Sequence, residues 1–241
     1  VDPTIGWTFM DDPYITIADG KLDVHSIQNS IDNAYYVRSS EASTSKWVLR
    51  GIYNIESQSS TSYIKFGLTD NGAAGGNNDP NEGIVWQHMP SDTKVGVYCT
   101  GGGGATYWQN SLSDGVDYYW TLTYDSPDAN LVFRTDSHTG NELFNITEDG
   151  GSCDNNLGLD NLGVANRENG GSGDVQATID DVEFYDGQNT PTTLTQLWDF
   201  EGANAPFSDL DGAWGSGEEP TAGVTGISGF AYDFGGNGAN P

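Results

Sequence analysis

The sequence predicts an all-β, antiparallel fold. Three observations carry this. Apolar residues alternate with polar ones in short runs along the chain. Nowhere do they repeat at i, i+3, i+4, i+7 over a helix-length window. The runs are separated by Gly, Asn, Asp and Ser, the residues of tight turns. About a dozen short runs at close spacing describe an antiparallel sandwich or barrel.

The first runs are 14–18, 21–27 and 34–38. Residues 46–56 alternate most clearly. Trp47, Leu49, Gly51, Tyr53 and Ile55 share one face, and Val48, Arg50, Ile52, Asn54 and Glu56 share the other. Ile64, Phe66 and Leu68 then alternate with Tyr63, Lys65 and Gly67. Runs 83–88, 94–100 and 106–109 follow. Tyr118, Trp120, Leu122 and Tyr124 alternate with Tyr119, Thr121 and Thr123. A Ser126-Pro127-Asp128 turn leads to Leu131 and Phe133. Runs 157–164 and 175–185 complete the series. Residues 70–82 and Gly101 to Gly104 are Gly-rich connections, read either as binding loops at a sandwich end or as flexible links.

Composition narrows the function classes. Thirty-five acidic residues, 25 Asp and 10 Glu, face eight cations, for a net charge of −27. Eight scattered cations cannot follow a phosphate track, so nucleic acid is excluded as a partner. The same charge repels an anionic membrane surface. No run approaches the roughly 18 apolar residues of a spanning helix, so membrane insertion is not expected. A surface so rich in Asp and poor in Lys suits molar salt, where the Debye length is about 3 Å and self-repulsion is screened. The composition resembles that of halophile proteins. A secreted protein loaded with calcium is the alternative.

The chain begins Val-Asp-Pro, as a processed secreted chain does. Cys99 and Cys153 form one disulfide or stay two separate thiols. Asn145-Ile146-Thr147 is an N-glycosylation sequon. Near residue 187 the character changes to a Thr/Pro linker over 188–196. Beyond it, Trp198-Asp199-Phe200 echoes Trp7-Thr8-Phe9. About 45 residues are too few for a second sandwich.

Residues 177–186, ATIDDVEFYD, resemble the closing strand of laminin G-like, concanavalin A-like jelly-roll domains. The tail resembles the opening of another such domain through Trp198, Phe200, Glu201, Asp209, Gly212, Gly226, Gly229, Ala231, Tyr232, Phe234 and Gly236. The resemblance implies a jelly-roll β-sandwich over 1–187 with a C-terminal β extension. The segment 197–241 is then a partial second module or a strand-donating tail. The superfamily holds lectins, adhesion modules, glycanases and passive spacers, so fold alone does not choose among them.

Glycanases of this superfamily resembling laminarinases carry Glu-x-Asp-x-Glu on one strand face. Retaining hydrolysis needs two carboxyl groups about 5–5.5 Å apart. The nearest match here is Asp181 with Glu183, and the third acid is missing because position 179 is Ile and 185 is Tyr. No catalytic residue is assigned. Sugar binding uses aromatic faces, for which Trp86, Tyr98, Trp108 and Tyr119 are the candidates. Clustered oxygen ligands make calcium the candidate cofactor, through Asp70, Asn71, Asn78, Asp79 and Asp180. Trp198, Phe200, Tyr232 and Phe234 are expected to be buried, against this sandwich or a neighbouring copy, with the neighbour favoured. The expected function is that of a non-enzymatic extracellular surface protein of a halophile, serving adhesion or surface structure and binding surface glycans. The alternatives are a filament or particle subunit assembled by strand exchange between copies, and a degenerate glycoside hydrolase.

The charge generates a direct expectation. Melting temperature rises steeply between 0.1 M and 2 M NaCl, as the Debye length falls from about 10 Å to below about 3 Å. Thermal melts at the two salt concentrations check it, and equal midpoints without calcium contradict it.

Overall fold

The structure is a computed structural model. It describes residues 7–10, 14–26, 31–58, 62–70, 83–90, 93–99, 104–149, 153, 158–168, 175–198, 200, 221–226 and 229–233. The chain falls into two units, Val1–Leu210 and Asp211–Pro241. The second contains a hairpin of β16 (Thr221–Gly226) and β17 (Gly229–Asp233).

The first unit is a sandwich of two antiparallel sheets. Sheet A contains β1 (Trp7–Met10), β4 (Ile31–Val37), β13 (Asn161–Glu168), β6 (Ser62–Thr69), β7 (Gly83–Met89), β8 (Lys94–Cys99) and β9 (Gly104–Gln109), in that spatial order. Sheet B runs β12 (Glu142–Glu148), β11 (Asp128–Thr135), β10 (Asp117–Asp125), β5 (Lys46–Gln58), β14 (Val175–Asp186), β3 (Lys21–Ser26) and β2 (Ile15–Ala18). A short strand, β15 (Gln196–Trp198), also pairs with β14. Strands distant in sequence are neighbours in both sheets, as jelly-roll connectivity requires.

Local chemistry sets the hairpins. Asp19 and Gly20, between β2 and β3, both have positive φ, 51° and 74°. A two-residue turn of this kind matches the twist of the flanking strands. β10 and β11 pair from Asp125↔Asp128 outward, with Ser126 and Pro127 as the turn.

Alternation decides the core. Trp47, Leu49, Tyr53 and Ile55 of β5 are fully buried, as are Trp120 and Leu122 of β10 and Ile64, Phe66 and Leu68 of β6. β12 was absent from the expected strands. Its Phe144 faces inward, stacked on Phe133 at 5.0 Å, while Leu143, Asn145 and Thr147 are exposed. Its signal is the alternation of Phe144 and Ile146 with polar residues over only two periods, too short to register beside longer runs. β9 and β12 join the sheet edges. Trp108 stacks on Phe144 at 4.6 Å, and Thr106 donates to the carboxylate of Glu148 at 2.6 Å. Cys99, at the end of β8, is bonded to Cys153. Among the described residues no helix is long and apolar enough to cross a membrane.

The segment after β14 folds back rather than reaching away. Gln188 Oε1 accepts hydrogen bonds from the backbone N–H groups of Thr192 and Thr193 and from the Thr192 hydroxyl. Thr195 N–H donates to Phe184 O at 2.8 Å. β15 then pairs Trp198 with Val182. Buried Arg38 lies 4.0 Å over the Phe184 ring and donates to Gln196. Trp198 and Phe200 are 2% and 4% exposed and belong to the core of this same sandwich. The preference for burial in a neighbouring copy is therefore corrected for these two residues. The two echoed segments meet each other. Phe200 lies 5.9 Å from Trp7, and Trp198 meets Tyr36 edge-on at 5.7 Å. The Tyr232 side chain and Phe234 lie outside the described residues.

This packing predicts two different truncations. Removing residues 188–241 strips Trp198 and Phe200 from the core, and each buried aromatic is worth about 3–5 kcal/mol. That form is expected to be unfolded or molten by circular dichroism and denaturant melts. Removing 211–241 leaves the cooperative transition of the first unit in place.

Candidate functional site

Strand parity places the site. On β6, Ile64, Phe66 and Leu68 point into the core, so Tyr63, Lys65 and Thr69 point outward from sheet A. On β7, Ile84 and Trp86 point inward, and Gln87 points outward. On β8, Val95, Val97 and Cys99 point inward, and Lys94 and Tyr98 point outward. β9 adds Tyr107, which stands opposite Gly96.

These outward groups form a compact polar and aromatic surface. Lys65 Nζ lies 4.5 Å from the Tyr98 ring centre and 5.0 Å from that of Tyr63. A cation over an aromatic face is held by the ring quadrupole. The Tyr107 hydroxyl donates to Gln87 Oε1 at 3.1 Å. Its ring lies across Gly96, where a Cβ atom would come within 2.2 Å of Tyr107 Cδ1. Glycine at that position is what lets the ring lie flat against the sheet. Lys65 and Gln87 are only 5% and 6% exposed, whereas Tyr98 and Tyr107 are half-buried. The two tyrosines therefore offer ring area over a floor of buried hydrogen-bonding groups.

Beneath this floor His88 points into the core. Its Nδ1 shares a hydrogen bond of 2.8 Å with the Tyr53 hydroxyl, both side chains being fully buried. Burial pushes the His88 pKa down to about 3, so the ring is neutral. Burial also raises the Tyr53 pKa, so its hydroxyl keeps its proton.

The expected ligand residues separate. Tyr98 belongs to the outward face of sheet A. Trp86 is fully buried between the sheets, against Tyr53 at 4.8 Å and Trp120 at 5.7 Å, so it presents no ring to a ligand and is corrected to a core residue. Trp108 points inward onto Phe144. Tyr119 faces outward from sheet B, with His138 edge-on at 5.4 Å. Lys65, Gln87 and Tyr107 were not among the expected residues. One signal was available. Tyr107 and Trp108 are consecutive on a strand, so only one can face out, and the larger apolar ring takes the core.

The metal candidates do not converge. Asp70 is half-buried just after β6 of sheet A. Asp180 lies on β14 of sheet B, opposite Ile52, and its carboxylate accepts from the Asp181 N–H at 2.8 Å. Asn71, Asn78 and Asp79 lie outside the described residues. Among the described residues no three His, Cys, Asp or Glu side chains group to hold a metal ion.

The outward face of sheet B carries an ionic cluster. Arg50 Nε donates to Glu183 at 2.6 Å, and its Nη2 donates to the Tyr185 hydroxyl at 2.8 Å. The Tyr185 hydroxyl donates in turn to Glu183. Burial, then the bond to Glu183, raises the Tyr185 pKa. Burial, then Arg50 and Arg134, holds His138 down at about 4. The register slips between Asp180 and Glu183, and Asp181 has φ of 46°. Two residues of β14 thus stand against one of β5. The bulge breaks the simple alternation that would place Asp181 and Glu183 side by side.

No protein-family model matches the sequence, and no curated protein matches it. Solved structures do. The Emp47p carbohydrate recognition domain superposes with a TM-score of 0.54 at 12% identity, covering 76% of this chain and 89% of that one. The potassium-bound Emp46p carbohydrate recognition domain gives 0.53 at 13%, covering 78% and 93%. A winged bean acidic lectin complexed with methyl-α-D-galactose gives 0.51 at 12%, covering 77% and 94%. The fold is the concanavalin A-like jelly roll.

Within that fold the Glu183 environment separates structure from catalysis. Glu183→Ala removes the partner of Arg50 and Tyr185 and is expected to cost about 1–3 kcal/mol. Asp181→Ala puts an alanine at a bulge position with φ of 46° and is expected to cost about 1 kcal/mol through backbone strain. Denaturant melts read both effects. β-Glucan hydrolysis that either substitution abolished would contradict this assignment.

Proposed function

We propose that this chain is a non-catalytic carbohydrate-binding module of an extracellular surface, and that glycans bind on the outward face of sheet A. The observation that carries this is the pairing of two half-buried tyrosines, Tyr98 and Tyr107, over buried Lys65 and Gln87. Sugars present apolar C–H faces and rings of hydroxyl groups. Aromatic rings pack on the first, and amide and ammonium groups bond the second. Three of the solved structures with this fold are, by their own descriptions, carbohydrate recognition domains or a galactoside-bound lectin.

The extracellular part of the proposal is supported by the Cys99–Cys153 disulfide, which forms and lasts in oxidising compartments. Excess Asp supports a high-salt setting. Adhesion follows if the bound glycans belong to another surface.

A glycan array probed with the whole chain in high salt tests the proposal. Binding to a defined glycan class is expected. Tyr98→Ala and Tyr107→Ala are each expected to weaken it about tenfold, equivalent to 1.4 kcal/mol, with melting temperatures near the parent's. Tyr119→Ala, on the other sheet, leaves binding unchanged. An array with no specific binding, or full binding by both sheet A variants, contradicts it.

A further inference from the structure

The sequon Asn145-Ile146-Thr147 lies on β12, which forms one edge of sheet B. It pairs with β11 on one side, and among the described residues no strand hydrogen-bonds to its other side; β9 of sheet A packs on its inward side chains Phe144 and Glu148. Asn145 and Thr147 are exposed and stand two residues apart, so they share the outward face. Leu143 shares it too and is 38% exposed.

One residue organises the sequon. Asn130, opposite Thr147 on β11, directs its Nδ2 at three acceptors: Asn145 Oδ1 at 2.7 Å, Ile146 O at 3.0 Å and Thr147 Oγ1 at 3.0 Å. The Asn145 carbonyl oxygen is thereby turned toward the sheet. Its Nδ2 makes no hydrogen bond to a described residue. The residue is exposed, and attachment at this nitrogen displaces no hydrogen bond among the described residues.

The edge itself supplies a reason for a glycan. An unpaired strand with an exposed leucine is a template for pairing with another chain, and folded proteins cover or charge such edges. The exposed side chains of β12 include Glu142, which pairs with Arg134 at 3.1 Å, so its charge is partly neutralised. Asn145 sits near the middle of the strand, where a bulky solvated group blocks approach along its length.

We propose that Asn145 carries an N-linked glycan that shields the open edge of sheet B. In the attachment step, Asn145 Nδ2 bonds to the anomeric carbon of an oligosaccharide carried on a lipid diphosphate. The bond from that carbon to the phosphate oxygen breaks, and its electron pair leaves with the lipid diphosphate. One Nδ2 proton passes to a base of the transferring enzyme. The Thr147 hydroxyl completes the N-x-Thr pattern that such enzymes read.

The test expresses the full chain through the secretory route of a eukaryotic host, beside a control protein whose sequon is glycosylated there. Intact mass and peptide mapping after peptide N-glycosidase in heavy-oxygen water are expected to find Asn145 converted to labelled Asp. Thr147→Ser keeps the modification and Thr147→Ala loses it. Asn145 recovered unmodified while the control is occupied overturns the site. Sedimentation velocity in 2 M NaCl, where the Debye length is below about 3 Å, then reads the edge. The glycosylated chain is expected to stay monomeric. The Asn145→Gln chain is expected to shift toward dimers, and adding Leu143→Lys to reverse that shift. Identical sedimentation with and without the glycan overturns the shielding role. Circular dichroism confirms that each variant is folded.

Discussion

Tyr53 and Trp120 from one sheet meet Phe66 and Trp86 from the other, with Tyr53–Trp86, Phe66–Trp120 and Trp86–Trp120 centroids 4.8, 5.5 and 5.7 Å apart. Every other feature of the sandwich is arranged around this aromatic layer. Tilted and edge-on rings at these separations add to the burial of their area. The layer carries a cost as well. The indole Nε1 atoms of Trp47, Trp86, Trp120 and Trp198 are buried without a hydrogen-bond partner among the described residues. Such groups cost about 1–3 kcal/mol each. The large buried ring areas outweigh that penalty, and Trp is kept for volume rather than for its polar handle.

Once this layer fixes one side chain of each central strand inward, the alternation of a strand leaves no choice about the next. Lys65 faces out because Phe66 faces in, and Gln87 faces out because Trp86 faces in. The outward face of sheet A is therefore a by-product of core packing, and the carbohydrate site proposed there inherits its rigidity from the core. Gly96 adds the local adjustment, giving the Tyr107 ring room to lie on the sheet.

The ends of the first unit close on the same principle. Trp7 and Phe200 come from opposite ends of the sandwich sequence and pack 5.9 Å apart, with Tyr36 contacting both Trp7 and Trp198. The fold-back of residues 188–196 delivers Trp198 to β14, where buried Arg38 and Gln196 bond to each other. A Thr/Pro-rich composition looked like a linker because its turn is made by side-chain bonds of Gln188 and Thr195, which leave no periodic pattern.

The sequence by itself determined the all-β class, most strands and which face of β5, β6 and β10 is buried, because alternation is written in consecutive residues. It also carried the closing-strand motif, which resembles the jelly-roll superfamily whose fold the structure has. Tertiary structure alone decided which aromatic rings reach solvent. Trp86 and Tyr98 look equivalent in sequence, and only the register of β7 on β8 and the packing of sheet on sheet assign one to the core and the other to the surface. It likewise decided that the two Trp-x-Phe segments meet. Such contacts join residues nearly two hundred positions apart, and chain order records no distance between them.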